Sequence, residues 1–143
     1  IAENVMVEPV PEIIEKGTQT PPTYIKPVTG GVLTSGFKMR WGRMHRGIDW
    51  AVPTGTSVRA SCGGTVVSAG WMGSYGYCVT LSHPDGRQTR YAHLSKILVS
   101  PGQKVDQNQT IARSGSTGRS TGPHVHFEII IGGQRVNPLQ YLN

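Results

Sequence analysis

Three short segments carry the residues best suited to chemistry: His45-Arg-Gly-Ile-Asp49, Tyr91-Ala-His93-Leu-Ser95 and Gly122-Pro-His124-Val-His126-Phe-Glu128. Between them they hold four of the five histidines of the chain. A mononuclear zinc hydrolase needs about three N/O protein ligands, an open coordination position for water and a proton-transfer group nearby. These residues can supply all of that. His124-Val125-His126 reads as strand, where alternate residues share a face, so both imidazoles and Glu128 point one way and Val125 and Phe127 the other. Such a pair is hard to explain as packing. For Asp49 two roles stand side by side, a turn or cap residue and a carboxylate that balances a divalent charge. His93 is either a core or capping histidine or a group for proton transfer and charge stabilisation. His83, in a Pro-Asp-Gly turn, reads as a surface residue. No HExxH motif occurs, so a glutamate base of that kind is excluded and a non-ligand histidine must do its work.

The elements that must position these groups are short strands. The 19 glycines and 10 prolines, with Val and Thr in short runs, favour an all-β domain with many tight turns. No helical periodicity is sustained over ten or more residues. Strands are expected at 57–60, 65–69, 77–81, 87–93, 109–113, 124–131 and 134–136. The His93 imidazole would stand at the end of the fourth. Gly73-Ser-Tyr-Gly76 reads as a loop, His83-Pro-Asp-Gly86 as a hairpin turn, and 137–142 as a terminal helical turn. Around His45 and Asp49, Gly42, Gly47 and Pro53 oppose a helix, so the segment reads as a loop leading into a strand. The fold class is therefore all-β, a compact antiparallel sandwich or open barrel. Tyr75 and Tyr77 follow a Gly-rich loop and either line a groove or pack across strands. Glu128 either orients a ligand histidine or forms a salt bridge on the strand surface.

At 143 residues the chain suits one domain with its own core, and it does not begin with Met. Charge divides it. Residues 1–24 hold four acids and one base, net −3, whereas residues 25–143 hold 13 bases and four acids, net +9. The Pro/Thr stretch Thr18–Thr23 falls at the same place, so 1–24 reads as a linker and the end of an upstream module, and 25–143 as the main domain. A basic domain is drawn to polyanions, and anionic wall polymers or membrane surfaces fit. Nucleic acid does not, because the bases are neither packed on one helix nor interleaved with aromatics. No apolar run approaches the roughly 18 residues of a membrane span, and no signal peptide is present. Cys62 and Cys78 are too few for a disulfide framework, and two buried free thiols are the default.

Taken together, the motifs resemble the LytM/lysostaphin-type metallopeptidases, peptidase family M23. The His-x-x-x-Asp motif is His45…Asp49, the His-x-His motif is His124-Val-His126, and Tyr-Ala-His-Leu-Ser stands intact at Tyr91–Ser95. Pro53-Thr-Gly55, Gly115-Ser-Thr-Gly118 and Asn137-Pro138 fit as well, and the match spans roughly residues 28–142. The resemblance implies one Zn²⁺ per chain on His45, Asp49 and His126. It gives His93 and His124 the catalytic roles, one as general base and one toward the oxyanion, without saying which does which. It implies a compact antiparallel β core with a groove between loops, and cleavage of peptide bonds in the cross-bridge or stem peptide of bacterial peptidoglycan. A monomer at the cell envelope or outside the cell, in a Gram-positive bacterium, is the expected setting. Tyr77 stands where the family often has Asn. Residues 1–24 resemble the tail of a G5 domain.

Two other readings compete. A non-catalytic or partner-gated peptidoglycan-binding module would share the fold, but modules of that kind lack ligands, and here every ligand and both catalytic histidines are present. A lipoyl-like carrier would need a lysine at a hairpin tip, and the turns at 61–64, 71–76 and 83–87 hold none.

Overall fold

The computed structural model describes residues 23–35, 39–40, 43–44, 47–118 and 122–142. All but the last two residues of the expected linker and upstream tail, and His45, lie outside these.

Strands of alternating pattern dominate. They are β1 (Val32–Ser35), β2 (Met39–Arg40), β3 (Arg43–Met44), β4 (Ile48–Ala51), β5 (Ser57–Arg59), β6 (Gly64–Trp71), β7 (Tyr77–Ser82), β8 (Gln88–Ile97), β9 (Lys104–Val105), β10 (Thr110–Ser114), β11 (His124–Ile131) and β12 (Gln134–Val136). Two 3₁₀ turns, Gly73–Tyr75 and Pro138–Gln140, complete the described elements. Ten of the strands form one antiparallel sheet with the path β1-β4-β11-β8-β7-β6-β9, while β10 joins β5 to β8, and β12 pairs with β11. The sheet is open rather than a closed barrel, in agreement with the all-β antiparallel expectation. β2 and β3 make a separate two-stranded ribbon.

The pleat sorts the central strands into two faces. Val125, Phe127 and Ile129 of β11, Ile48 and Trp50 of β4, and Tyr91 of β8 join the buried apolar cluster. The Phe127 ring lies 5.4 Å from that of Tyr91 and 6.0 Å from that of Trp50. Full burial of side chains of this size stabilises the fold by about 1.5–3 kcal/mol each. The intervening residues, His126, Glu128 and Asp49, are thereby turned to the other face.

Three expectations need correction. His83 is buried, not a surface residue. Its Nδ1 lies 2.9 Å from the Gly63 carbonyl and its Nε2 2.8 Å from Thr89 Oγ1, and Tyr24 packs edge-on against its ring. The turn that follows His83 is as expected, with Gly86 at φ 86°. The strand expected to end at His93 instead runs on to Ile97 as β8. Asp49 lies within β4 rather than in the loop before it. Cys62 and Cys78 are both buried and free. Burial pushes the Cys78 thiol up to about 12, which keeps it protonated and inert at neutral pH. Among the described residues no helix is long and apolar enough to cross a membrane.

Candidate active site

The site is assembled where β4, β11 and β8 run side by side. His126 of β11 pairs directly with Asp49 of β4 and with Ala92 of β8. Cross-strand neighbours on one face bring their side chains together, and His126 Nδ1 lies 2.8 Å from Asp49 Oδ1. His124, two residues earlier on the same face, places Nε2 3.9 Å from the same oxygen. His93 comes from the third strand, with its ring 4.7 Å from that of His124 and 6.0 Å from that of His126. Four of the five residues singled out as ligands or catalytic groups are therefore neighbours. The fifth, His45, lies outside the described residues. Gly47 follows it closely in sequence, and a Cβ there would come within 2.9 Å of the His126 ring and 2.4 Å of the Phe127 carbonyl. Only glycine allows the chain to approach β11 so closely.

A bulge aims His93. Tyr77 of β7 faces Leu94 while Val79 faces Tyr91, so one residue between on β7 opposes two, Ala92 and His93, on β8. His93 takes φ 60° at this irregularity. An extra residue of this kind re-aims a side chain and bends its strand, and bulges are common beside active sites. Its Nδ1 lies 2.7 Å from the Thr117 carbonyl. Since a carbonyl only accepts, Nδ1 carries the proton and Nε2 is the nitrogen turned away from that anchor. His124 is held in the same way, with Nδ1 2.8 Å from the Gly122 carbonyl. Burial, and then the neighbouring imidazoles, push the His93 pKa down, with the Thr117 carbonyl and Asp49 opposing. A neutral imidazole at neutral pH follows.

His126 is held differently, between two carboxylates. Its Nε2 lies 2.9 Å from Glu128 Oε2, opposite the Asp49 contact. Burial alone would lower its pKa, but the hydrogen bonds to Asp49 and Glu128 raise it to about 9. Glu128 is itself 1 % exposed. The surface salt bridge considered for it is therefore replaced by a buried network. Tyr75 donates its hydroxyl to Glu128 Oε2 at 2.8 Å, while Arg90 (3.6 Å) and Arg135 (3.3 Å) face Oε1. Burial would raise this carboxyl, but His126, Tyr75 and Arg135 hold it below the usual carboxylate range.

The two tyrosines part company. Tyr75 belongs to the support of His126, with its ring 5.9 Å from the imidazole and Arg90 5.1 Å above its own centroid. Tyr77 is 41 % exposed and meets Trp71 edge-on. Sequence reasoning missed Thr117, Arg90 and Arg135. A signal for the arginines existed: a lone acid in an apolar strand needs countercharge from adjoining strands.

The donor set has the chemistry of a zinc site, with imidazole nitrogen and carboxylate oxygen converging beside further histidines. Asp49 and His126 are two such donors. Among the described residues they do not complete a group of three that would hold a metal ion.

The model of peptidase family M23 matches residues 43–138 of this chain. The DD-carboxypeptidase/endopeptidase Mpg of Neisseria meningitidis serogroup B is 50% identical over 97 residues, covering 68% of this chain and 22% of Mpg. The peptidoglycan DD-endopeptidase ShyA of Vibrio cholerae serotype O1 is 48% identical over 96 residues, covering 67% of this chain and 22% of ShyA. The match thus spans about a fifth of the length of these curated relatives. Among solved structures, the catalytic domain of the antimicrobial peptidase lysostaphin from Staphylococcus simulans superposes with a TM-score of 0.74 at 34% identity, covering 78% of this chain and 91% of that one. A zinc-containing peptidase from Vibrio cholerae gives 0.76 at 37% identity, covering 80% and 39%. A chain of the SpoIIQ–SpoIIIAH pore-forming complex gives 0.78 at 32% identity, covering 87% and 93%. The two curated relatives come from Gram-negative bacteria, which leaves the expected Gram-positive source without support.

Proposed function

Because the chain belongs to peptidase family M23, we propose that it is a zinc-dependent endopeptidase that hydrolyses peptide bonds of bacterial peptidoglycan. The observation that carries this reading is the convergence of Asp49, His126, His124 and His93 on one face of the sheet. His45, Asp49 and His126 would hold the metal. A zinc ion there supplies Lewis-acid polarisation of the scissile carbonyl and of the attacking water.

The remaining groups move protons and stabilise charge. His93 and His124 each have Nδ1 tied to a backbone carbonyl, so each offers Nε2 to the substrate side. A neutral imidazole accepts the proton of the attacking water and later delivers it to the leaving amine. The second imidazole stabilises the oxyanion of the tetrahedral intermediate when its Nε2 also carries a proton. The bulge at His93 and the turn of chain before His124 fix the two rings before substrate arrives, which is what transition-state stabilisation demands. The substrate class rests on the curated relatives, whose names carry peptidoglycan or DD-endopeptidase activity. Action at the cell envelope follows from that substrate, and the net +9 of residues 25–143 suits anionic wall polymers.

One relative of known structure belongs to a pore-forming complex, so a partner-binding module is the second reading. Metal analysis of purified variants tests the first. His126→Ala is expected to lose zinc, with affinity down by at least about 100-fold, whereas His124→Ala keeps zinc and loses turnover by about 100-fold or more. Equal zinc loss in both variants would overturn this division of roles.

A further inference from the structure

We infer that Glu128 is a positioning residue that fixes which nitrogen of His126 faces the metal, and that Tyr75, Arg90 and Arg135 form the clamp that keeps it in place. The inference rests on the reading of His126 as a ligand. An imidazole can present either nitrogen, and the hydrogen bond made by one decides which is left for the other role. Both nitrogens of His126 face carboxylates, which only accept: Nε2 lies 2.9 Å from Glu128 Oε2 and Nδ1 2.8 Å from Asp49 Oδ1. Asp49 is itself read as a ligand and Glu128 is not, so Nδ1, the nitrogen beside Asp49, is the one a metal would take, while Glu128 keeps the N–H of Nε2. A half-turn of the ring would put the carbons Cδ2 and Cε1 where the two nitrogens stand and break both contacts.

Glu128 cannot drift from this position. Oε2 accepts from Tyr75 as well as from His126, and Oε1 faces Arg90 and Arg135. These partners come from the 73–75 turn, β11, β8 and β12, so the carboxylate is tied to four elements at once. With 1 % of its surface exposed, water offers no alternative partner. Arg90 is held in turn by Thr80 Oγ1 at 3.3 Å and lies over the Tyr75 ring. Two arginines on one buried carboxylate are more than charge balance requires, and the second restricts its rotation.

The test is a zinc titration against a competing chromogenic chelator, together with long-range ¹H–¹⁵N NMR of the histidine rings in the zinc-loaded chain. Glu128→Leu is expected to lose about 10–100-fold in zinc affinity, and Glu128→Gln, which keeps an acceptor, to recover part of it. The wild-type spectrum should show His126 protonated on Nε2. Wild-type affinity in a folded Glu128→Leu variant, or a proton on Nδ1, would overturn the proposal. Should Glu128→Leu fail to fold, Tyr75→Phe and Arg135→Met carry the test, each with a several-fold loss expected; unchanged affinity in both overturns it. Absence of zinc binding by the wild-type chain would instead overturn the metal site itself, and the positioning role with it.

Discussion

At the residue scale, the described histidines differ by what holds their ring nitrogens. Backbone carbonyls anchor His93 and His124, carboxylates bracket His126, and His83 is committed to Gly63 and Thr89 away from the site. His83 has a consequence for stability. Burial pushes its pKa below the ordinary 6.5, against the opposing pull of Gly63 and Asp85. Between that ordinary value and the lower native one, the unfolded chain binds the proton and the native chain does not. Stability is therefore full above about 6.5 and falls as the pH drops toward the native pKa. His83→Gln should cost about 1–3 kcal/mol at pH 7.5, since Gly63 and Thr89 lose their partner. It should also flatten the fall in urea midpoint between pH 7.5 and 5.5. Equal slopes for both proteins would show that His83 does not carry this dependence. The residue was misread from sequence because Pro-Asp-Gly is a local turn signal. Its burial comes from Tyr24 and Gly63, which no local pattern announces. The His-x-His pair was legible for the opposite reason, since period-2 geometry acts within three residues.

At the scale of elements, β11 was legible to the residue: Gly122-Pro123 and Gly132-Gly133 punctuate a run that alternates polar and apolar from His124 to Ile129 and stays apolar to Ile131. The bulge in β8 was not. Its cause is tertiary, the backbone-to-backbone docking of the 73–76 turn on residues 117–118. Gly76 has φ 67°, and a Cβ there would lie 2.5 Å from the Thr117 carbonyl carbon, while a Cβ on Gly118 would lie 2.3 Å from the Gly76 nitrogen. Tyr77 N–H bonds to Thr117 Oγ1, and that hydroxyl donates to the Leu94 carbonyl. The same Thr117 anchors His93, so turn, bulge and the His93 ring form one unit. Gly76→Ala adds left-handed strain of about 1–2 kcal/mol and a backbone clash that no rotamer relieves. We expect a total loss of about 2–4 kcal/mol in chemical denaturation and a fall in turnover that exceeds any change in KM. An unchanged midpoint would mean the two segments are not docked as described. The convergence of Arg90 and Arg135 on Glu128 escaped notice likewise, because it joins β8, β11 and β12 across the sheet.

At the scale of the whole molecule, one open antiparallel sheet supplies an apolar face for stability and a polar face for chemistry. Phe127 and His126 are adjacent residues serving opposite sides of it. The motif-bearing strands β4, β11 and β8 are neighbours in the sheet although Asp49 and His126 are 77 residues apart in sequence. Sequence order alone could not place them together; only the resemblance did. The excess of positive charge lies in the same part of the chain as the site. The central claim is that this sheet face cleaves peptide bonds of the bacterial wall with a zinc ion. The most direct measurement is digestion of purified peptidoglycans of several peptide and cross-bridge types, with mass spectrometry of the released fragments, in the presence and absence of a chelator. The account predicts new amino termini that disappear on chelation and return when Zn²⁺ is added. Undiminished cleavage by a rigorously metal-free sample would contradict the zinc mechanism. Failure to cleave any wall type with zinc shown to be bound would contradict the endopeptidase reading and favour the partner-binding module.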